Sequence, residues 1–317
     1  MEYCPHSLAL KIKEEAFSLG FDACGIAKAG KLNGMELLLS EWLGQGNHGE
    51  MTYLENHFEK RLNPSLLVEG AKSVVVVALN YLPDIGTQTQ KKYVVSKYAY
   101  GMDYHRVLKG KLRKLEQLLK EWNPLHRGRI FVDSAPVMEK VWAVRAGLGW
   151  IGKNTCLIIP GKGSFFFLGE LITNIELSAD MGFEAENCGN CTRCFDACPT
   201  GALAAPGKLI TPRCISYLTI ELKGKIPHEY RDGRLKGRIF GCDICQDACP
   251  HNRFAQPAAE PLFKPGQDFL TWPDSKWENL SREDFEKHFV KAKSAISRIG
   301  FEKFRDNIEF VRTDQSR

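Results

Sequence analysis

The sequence has no apolar stretch long enough to cross a bilayer. Its longest purely aliphatic run, Val74 to Leu79, is six residues, against the roughly 20 a spanning helix needs. It also lacks the basic-then-apolar order of an export leader, since the opening MEYCPHSLALKIKEEAF carries Glu2, Glu14 and Glu15. No G-x-G-x-x-G opens a βα unit and no Walker-type phosphate loop is present, which argues against a nicotinamide Rossmann domain or a P-loop nucleotide site. The eight histidines include no H-x3-H pair, so no histidine is assigned to a metal. The order C-x3-C-x2-C, needed for radical S-adenosylmethionine chemistry, is missing as well. These absences lead us to expect a soluble, cytoplasmic protein with no membrane association.

What is present is an ordinary globular balance over 317 residues, 44% hydrophobic and 26% charged, enough for a sizeable core and more than one domain. The net charge of +5 is compatible with an acidic partner and does not identify one. Eleven cysteines would suggest disulfides in a small secreted domain. Here the chain is too long for that class and the cysteines are clustered, so metal ligation is the better reading.

Along the chain, Ser7 is placed to cap a first helix carrying Leu8, Ile12, Ala16 and Leu19 and ending at Gly20. A strand follows in FDACGIA, then a helix over 34–43, and a buried β-branched strand over Ser73–Asn80. The spacing of Val107, Leu108, Leu112, Leu115, Leu118 and Leu119 predicts a long amphipathic helix over 103–122. Arg129–Val132 reads as a strand and Pro136–Ala146 as a helix, because proline suits a first helical turn. Strands over Thr155–Ile159 and Ser164–Asn174 flank a turn at Pro160–Gly163. The N-terminal part is thus of α+β or α/β type. From Cys188 onward short turns separate cysteines, and a stretch with Pro257, Pro261 and Pro265 leads to a helical segment from about Ser281.

The cysteines carry the chemistry. Cys188-x2-Cys191-x2-Cys194-x3-Cys198-Pro199 has the bacterial ferredoxin spacing, in which three close thiolates hold one 4Fe–4S cluster and the fourth reaches the other. Cys242-x2-Cys245-x3-Cys249-Pro250 is the second group, with Cys214 completing it. By that crossover, Cys188, Cys191, Cys194 and Cys249 hold one cluster, and Cys198, Cys214, Cys242 and Cys245 the other. Two structural zincs are the alternative. They usually come as separate C-x2-C couples, not as a four-cysteine run ending in Cys-Pro. Cys4, Cys24 and Cys156 fall outside the pattern and read as small buried hydrophobes.

Several blocks resemble the epoxyqueuosine reductase family: YAYGMDYH at 98–105, FVDSAPVMEK at 131–140, GLGWIGKNT at 147–155, FLGELIT at 167–173, CTRCFDACPTGAL at 191–203, RCISYLTIE at 213–221, GCDICQDACPHN at 241–252 and SAISRIGFEKFRDN at 294–307. The resemblance runs in order over nearly the whole chain. It implies reduction of epoxyqueuosine to queuosine at the wobble position of tRNA, the last step of queuosine biosynthesis, by an enzyme using base-off cobalamin and two 4Fe–4S clusters. It also implies an α+β fold, a nitroreductase/reductive-dehalogenase-like cobalamin domain followed by a ferredoxin-like di-cluster domain. We expect these over 1–180 and 181–258, with a helical segment over 259–317 packing back on the core. Some members continue into a C-terminal helical-repeat domain, and the chain is expected to be a short form without it. An external single-electron donor such as a flavodoxin or ferredoxin, the modified tRNA and a monomeric state complete the expectation.

Asp133, at the end of the strand RIFVD, has two readings. It can cap the following helix, or, desolvated in a pocket, its raised pKa can make it a proton donor. The resemblance favours the second, as the family's proposed general acid in the DSAP context. Lys153 and Asn154, after a glycine-rich turn, are placed against the corrin through the resemblance, with Arg61 and Ser96 as weaker candidates. The segment 223–238 has six basic residues against Glu229 and Asp232. It is either a solvated face or a phosphate-binding surface, with Tyr217 or Tyr230 as candidates to stack a base. A reductive dehalogenase, an electron-transfer ferredoxin subunit and a zinc protein binding RNA remain the rival readings.

Overall fold

Eight consecutive buried residues, Ser73–Asn80, run through the middle of the molecule. A strand apolar on both faces must be covered on both, and this one is. The computed structural model describes residues 4–84, 91–264 and 268–314; Glu2 and Pro265, mentioned above, lie outside them. Four strands form an antiparallel sheet: β1 (Ala23–Lys28), β2 (Ser73–Asn80), β3 (Gly128–Phe131) and β4 (Phe166–Thr173), in the order β1-β2-β4-β3.

On one face, Val75, Val77, Leu79 and Leu171 meet the helices α1 (Pro5–Ser18) and α2 (Tyr104–Trp122). On the other, Val74, Val76, Ala78, Leu168 and Ile172 meet Trp142 and Ala143 of helix α3 (Glu139–Arg145). The alternation follows from the two-residue period of a strand. Helix α2 buries Val107, Leu108, Leu112, Leu115 and Leu119, each worth roughly 1.5–3 kcal/mol when fully buried. Leu118 is only partly covered.

Three expected boundaries shift for local reasons. Helix α1 begins at Pro5 with Cys4 as its N-cap, so Ser7 lies inside it; proline at the first helical position loses nothing, because that N–H has no helical partner. Helix α3 begins at Glu139, not Pro136. Residues 132–137 instead form a tight turn, with the Ser134 N–H donating to the Val132 carbonyl at 2.6 Å and the Ala135 N–H to Asp133 at 2.8 Å. The strand expected over 155–159 shrinks to Leu157–Ile158, paired with Trp150–Ile151.

Beyond the sheet, Arg238–Phe240 pairs in parallel with Val94–Val95. Residues 93–100 share an aromatic core with the C-terminal helices, including Phe269, Trp277, Phe285, Phe289 and Phe304. No helix among the described residues is long and apolar enough to cross a membrane.

Candidate active site and cluster centres

The cysteine loops converge from both groups. Cys188, Cys191, Cys194 and Cys249 line one cavity together with Lys153, Asn154, Ile158, Pro250 and His251. The short helices Arg193–Ala197 and Ile244–Asp247, each inside a cysteine group, pack against each other, which brings Cys249 across to the first three. Cys198, Cys214, Cys242 and Cys245 form the other gathering: Cys214 feels the charge of Cys198, and both Cys242 and Cys245 feel that of Cys214.

Burial pushes the Cys214 thiol up, and Cys242 up to about 12. Such crowded, buried thiols are poor thiolates until a metal supplies positive charge. All eleven cysteines are free of disulfides. Among the described residues no three His, Cys, Asp or Glu side chains converge on a single-ion site. Sulfurs standing around a cavity suit a cubane, whose four irons are spread over its corners. The residues therefore fit 4Fe–4S clusters.

Lys153 donates to the carbonyls of Gly189 at 2.5 Å and Cys191 at 3.2 Å, and Asn154 donates to the Cys245 carbonyl at 3.3 Å. Both brace the cysteine loops. The glycines before them serve packing: a Cβ on Gly149 would sit 2.0 Å from the Ile158 carbonyl oxygen, and one on Gly152 would sit 2.6 Å from the Ile158 side chain. The letters Gly147-x-Gly149-x-x-Gly152 follow helix α3 and lead into a strand, the reverse of a dinucleotide fingerprint. Of the extra cysteines, Cys4 is exposed because it precedes the first helix at the surface, and Cys156 lies against Cys245. Neither is the buried packing residue expected.

Asp133 follows β3 at φ +55, a left-handed conformation unusual for a residue with a side chain. It sits low among protein atoms, yet half its side chain is open to solvent, which places it on the floor of a cleft. Its carboxylate accepts a hydrogen bond from the Tyr104 hydroxyl. His105 Nε2 stands 3.3 Å away, and Arg298 Nη1 3.9 Å away. Asp103 caps helix α2 by accepting from the His105 N–H at 3.0 Å, and it also holds His105 Nδ1 at 2.7 Å. One aspartate therefore starts the helix and orients the imidazole toward Asp133. Arg298 arrives from the C-terminal segment, which is tied to the start of α2 by the Asp103 N–H donating to the Lys293 carbonyl at 2.8 Å.

These partners decide the charge. Burial pushes the Asp133 carboxyl up, but the Tyr104 hydrogen bond, the His105 imidazole 3.3 Å away and the charge of Arg298 outweigh it. The carboxyl ends below its ordinary value. The desolvated, raised-pKa acid expected from the sequence is corrected accordingly, because remote donors reach it; the helix cap is also corrected, because α3 starts six residues later. His105 is likewise opposed by burial, but the carboxylates of Asp103 and Asp133 hold it above its ordinary value.

The cleft wall is aromatic. Tyr104 stacks on Phe167 at 4.1 Å with 5° between planes, and Tyr98 lies 6.3 Å from Tyr104 and 5.9 Å from Phe240. Ser96, on the same segment as Tyr98, is buried and donates to the Asp243 carboxylate within the second cysteine group. The cleft thus backs onto that group. Arg61 holds the turn beside Tyr53, donating to the carbonyls of Leu54 at 3.1 Å and Tyr53 at 2.8 Å. Tyr53 and Glu221 lie near each other, and both feel the charges of Asp133 and Arg298. Tyr217 and Tyr230 are buried, so neither presents a face for a base; the Tyr217 hydroxyl accepts from the Glu50 N–H at 2.9 Å. Sequence reading missed Tyr104, His105, Arg298 and Glu139 as site residues. For the first two, the signal was their place in YAYGMDYH, directly after a helix-capping aspartate.

Fold and site together define a class: an oxidoreductase in which an α+β domain adjoins a 4Fe–4S double cluster binding domain, whose family model matches residues 187–252. A second family model, described as Epoxyqueuosine reductase QueG, DUF1730, matches residues 61–134. The epoxyqueuosine reductase of Leadbetterella byssophila is 50% identical over 95% of this chain and 97% of its own length. A crystal structure of epoxyqueuosine reductase with an epoxyqueuosine-modified tRNA-Tyr stem loop matches with a TM-score of 0.86 at 34% identity, covering 96% of this chain and 80% of that one. The Bacillus subtilis epoxyqueuosine reductase, solved with its catalytic aspartate loop swung out of the active site, matches with a TM-score of 0.86 at 33% identity over 96% and 81%. The chain belongs to the epoxyqueuosine reductase family.

Proposed function

We propose that this chain reduces epoxyqueuosine to queuosine in the anticodon of tRNA, with cobalamin in the Asp133 cleft and two 4Fe–4S clusters on the cysteine sets given above. The observation that carries the reading is Asp133, held by Tyr104 and His105 on the floor of an open cleft that backs onto the second cysteine group. Support for tRNA as the substrate comes from the relative solved with a modified stem loop. Support for an aspartate-bearing catalytic loop comes from the relative solved with such a loop swung out of its active site.

Cobalamin suits the cleft in kind. Tyr98 and Tyr104, the latter backed by Phe167, would offer an aromatic wall, and Arg61, Tyr53 and Arg298 would offer polar groups at the rim for its carboxamides. His105 stands between the Asp103 and Asp133 carboxylates. When bound, cobalamin would supply low-potential electrons to the epoxide carbon. Ser96 joins the cleft segment to the cluster side, where Lys153 and Asn154 brace the loops. We place the domains at 1–180, 181–258 and 259–317, and the core that C-terminal residues share with 93–100 supports a last segment that packs back.

Removing the epoxide oxygen as water takes two electrons and two protons. Asp133 is anionic at rest, so it must be charged with a proton before it can deliver one. His105, raised above its ordinary value by Asp103 and Asp133, is placed with Nε2 3.3 Å away to resupply that proton, and solvent at the open side of Asp133 supplies the second. The phosphates of the anticodon arm would meet the exposed Lys223, Lys225 and Arg231; Arg234 is paired with Asp232 and contributes less. The test is turnover of an epoxyqueuosine-modified stem loop by anaerobically reconstituted protein with a chemical reductant, the nucleosides being read by mass spectrometry. Queuosine formed only with cobalamin present is the expected result. No product from protein loaded with iron and cobalt would overturn the reading.

A further inference from the structure

Beneath the Asp133 turn lies a second carboxyl group pair that the reaction above does not use. The Asp133 backbone N–H donates to Glu139 Oε1 at 2.5 Å. Glu139 in turn faces Glu170, which is fully buried on β4, opposite Phe131 in the sheet register. Neither Glu170 oxygen has an N–H or O–H donor. The charged groups around the pair are Asp133, His105 and Lys140. Lys140 is occupied at the Thr155 carbonyl, 2.7 Å away. Two bare carboxylates, Glu170 fully and Glu139 partly buried, cannot face each other with so little compensation.

We propose that Glu139 and Glu170 share a proton at neutral pH, and that this protonated pair is the anchor that holds the Asp133 turn in its left-handed conformation. Glu170 donates through the shared proton, which fixes Glu139; Glu139 accepts from the Asp133 N–H, which fixes the turn. Both are positioning residues. Burial, followed by the charge of Asp133, pushes Glu139 up to about 8, and burial pushes Glu170 well above the usual carboxyl range, in agreement with the geometry. The importance of the anchor for catalysis rests on the acid role of Asp133 given above, but the anchor itself is measurable without substrate or cofactor.

Infrared spectroscopy of the wild-type protein at neutral pH should show a protonated-carboxyl stretch that disappears in Glu170→Gln. Amide hydrogen exchange at Asp133 should accelerate about tenfold in Glu139→Ala, the worth of roughly 1.4 kcal/mol of hydrogen bonding. It should stay slow in Glu139→Gln and Glu170→Gln, since one amide still accepts and the other still donates. A purely structural glutamate would show no such rescue. No protonated carboxyl in the wild type, a measurement that needs no variant, would overturn the proposal. So would unchanged exchange in Glu139→Ala. Loss of turnover with both signatures intact would instead count against the reductase reading.

Discussion

Replacing Asp133 by Asn removes the carboxylate while leaving a side chain of the same size. The amide oxygen still accepts from Tyr104, so the left-handed turn and its anchor on Glu139 should persist. The site loses the carrier of a proton and one of the two carboxylates that raise His105 above its ordinary value. A positioned acid is worth about 10²–10⁴ in rate, or about 2.7–5.4 kcal/mol of barrier. Asp133→Asn should therefore slow single turnover of a modified stem loop by that factor, with iron, cobalt and stem-loop affinity unchanged. The assay uses pre-reduced protein, so that electron delivery is not limiting. In the wild type, raising the pH through the elevated His105 value should lower the rate as the imidazole loses its proton; in Asp133→Asn that limb should move to lower pH. A variant within about threefold of wild type would refute the acid role, since a positioned general acid typically contributes about 10²–10⁴-fold.

Three other outcomes follow from the same structure. Cys191→Ser and Cys242→Ser, from opposite cysteine sets, should each lose about half of the roughly eight irons of two cubanes, read by iron assay; full retention would redraw the ligand sets. Leu112→Ala, at a fully buried position of α2, should cost about 2–5 kcal/mol in denaturant unfolding. His126 has its side chain buried against Thr173, and burial, then Lys120, pushes it down to about 4. The unfolded chain then binds more protons than the folded one between about pH 6.5 and 4, so stability should fall as pH drops through that window. His126→Gln should flatten the fall.

Patterns confined to one segment were legible in the sequence. The β-branched run 73–80, the leucine spacing of α2 and the two cysteine groups each declare themselves through periodicity or spacing, and the structure builds what they describe. Of the cleft, only Asp133 and, through the resemblance, Arg61 were legible. The charge of Asp133 depends on Tyr104, His105 and Arg298, which lie about 30 and about 165 residues away in the chain, and no local rule connects them. Pro136 misled for a related reason. Proline fits a tight turn as well as a first helical turn, and the Glu139 bond that selects the turn depends on a side chain held by a distant strand. The glycines of 147–152 suggested a ligand, but it is a neighbouring strand that needs the space.

The central claim is a corrinoid site joined to two clusters on one chain. Protein reconstituted anaerobically with iron, sulfide and cobalamin, then desalted, should retain about eight irons and about one cobalt per chain. Eight irons with no retained cobalt would contradict the cofactor assignment and leave an electron-transfer protein in its place.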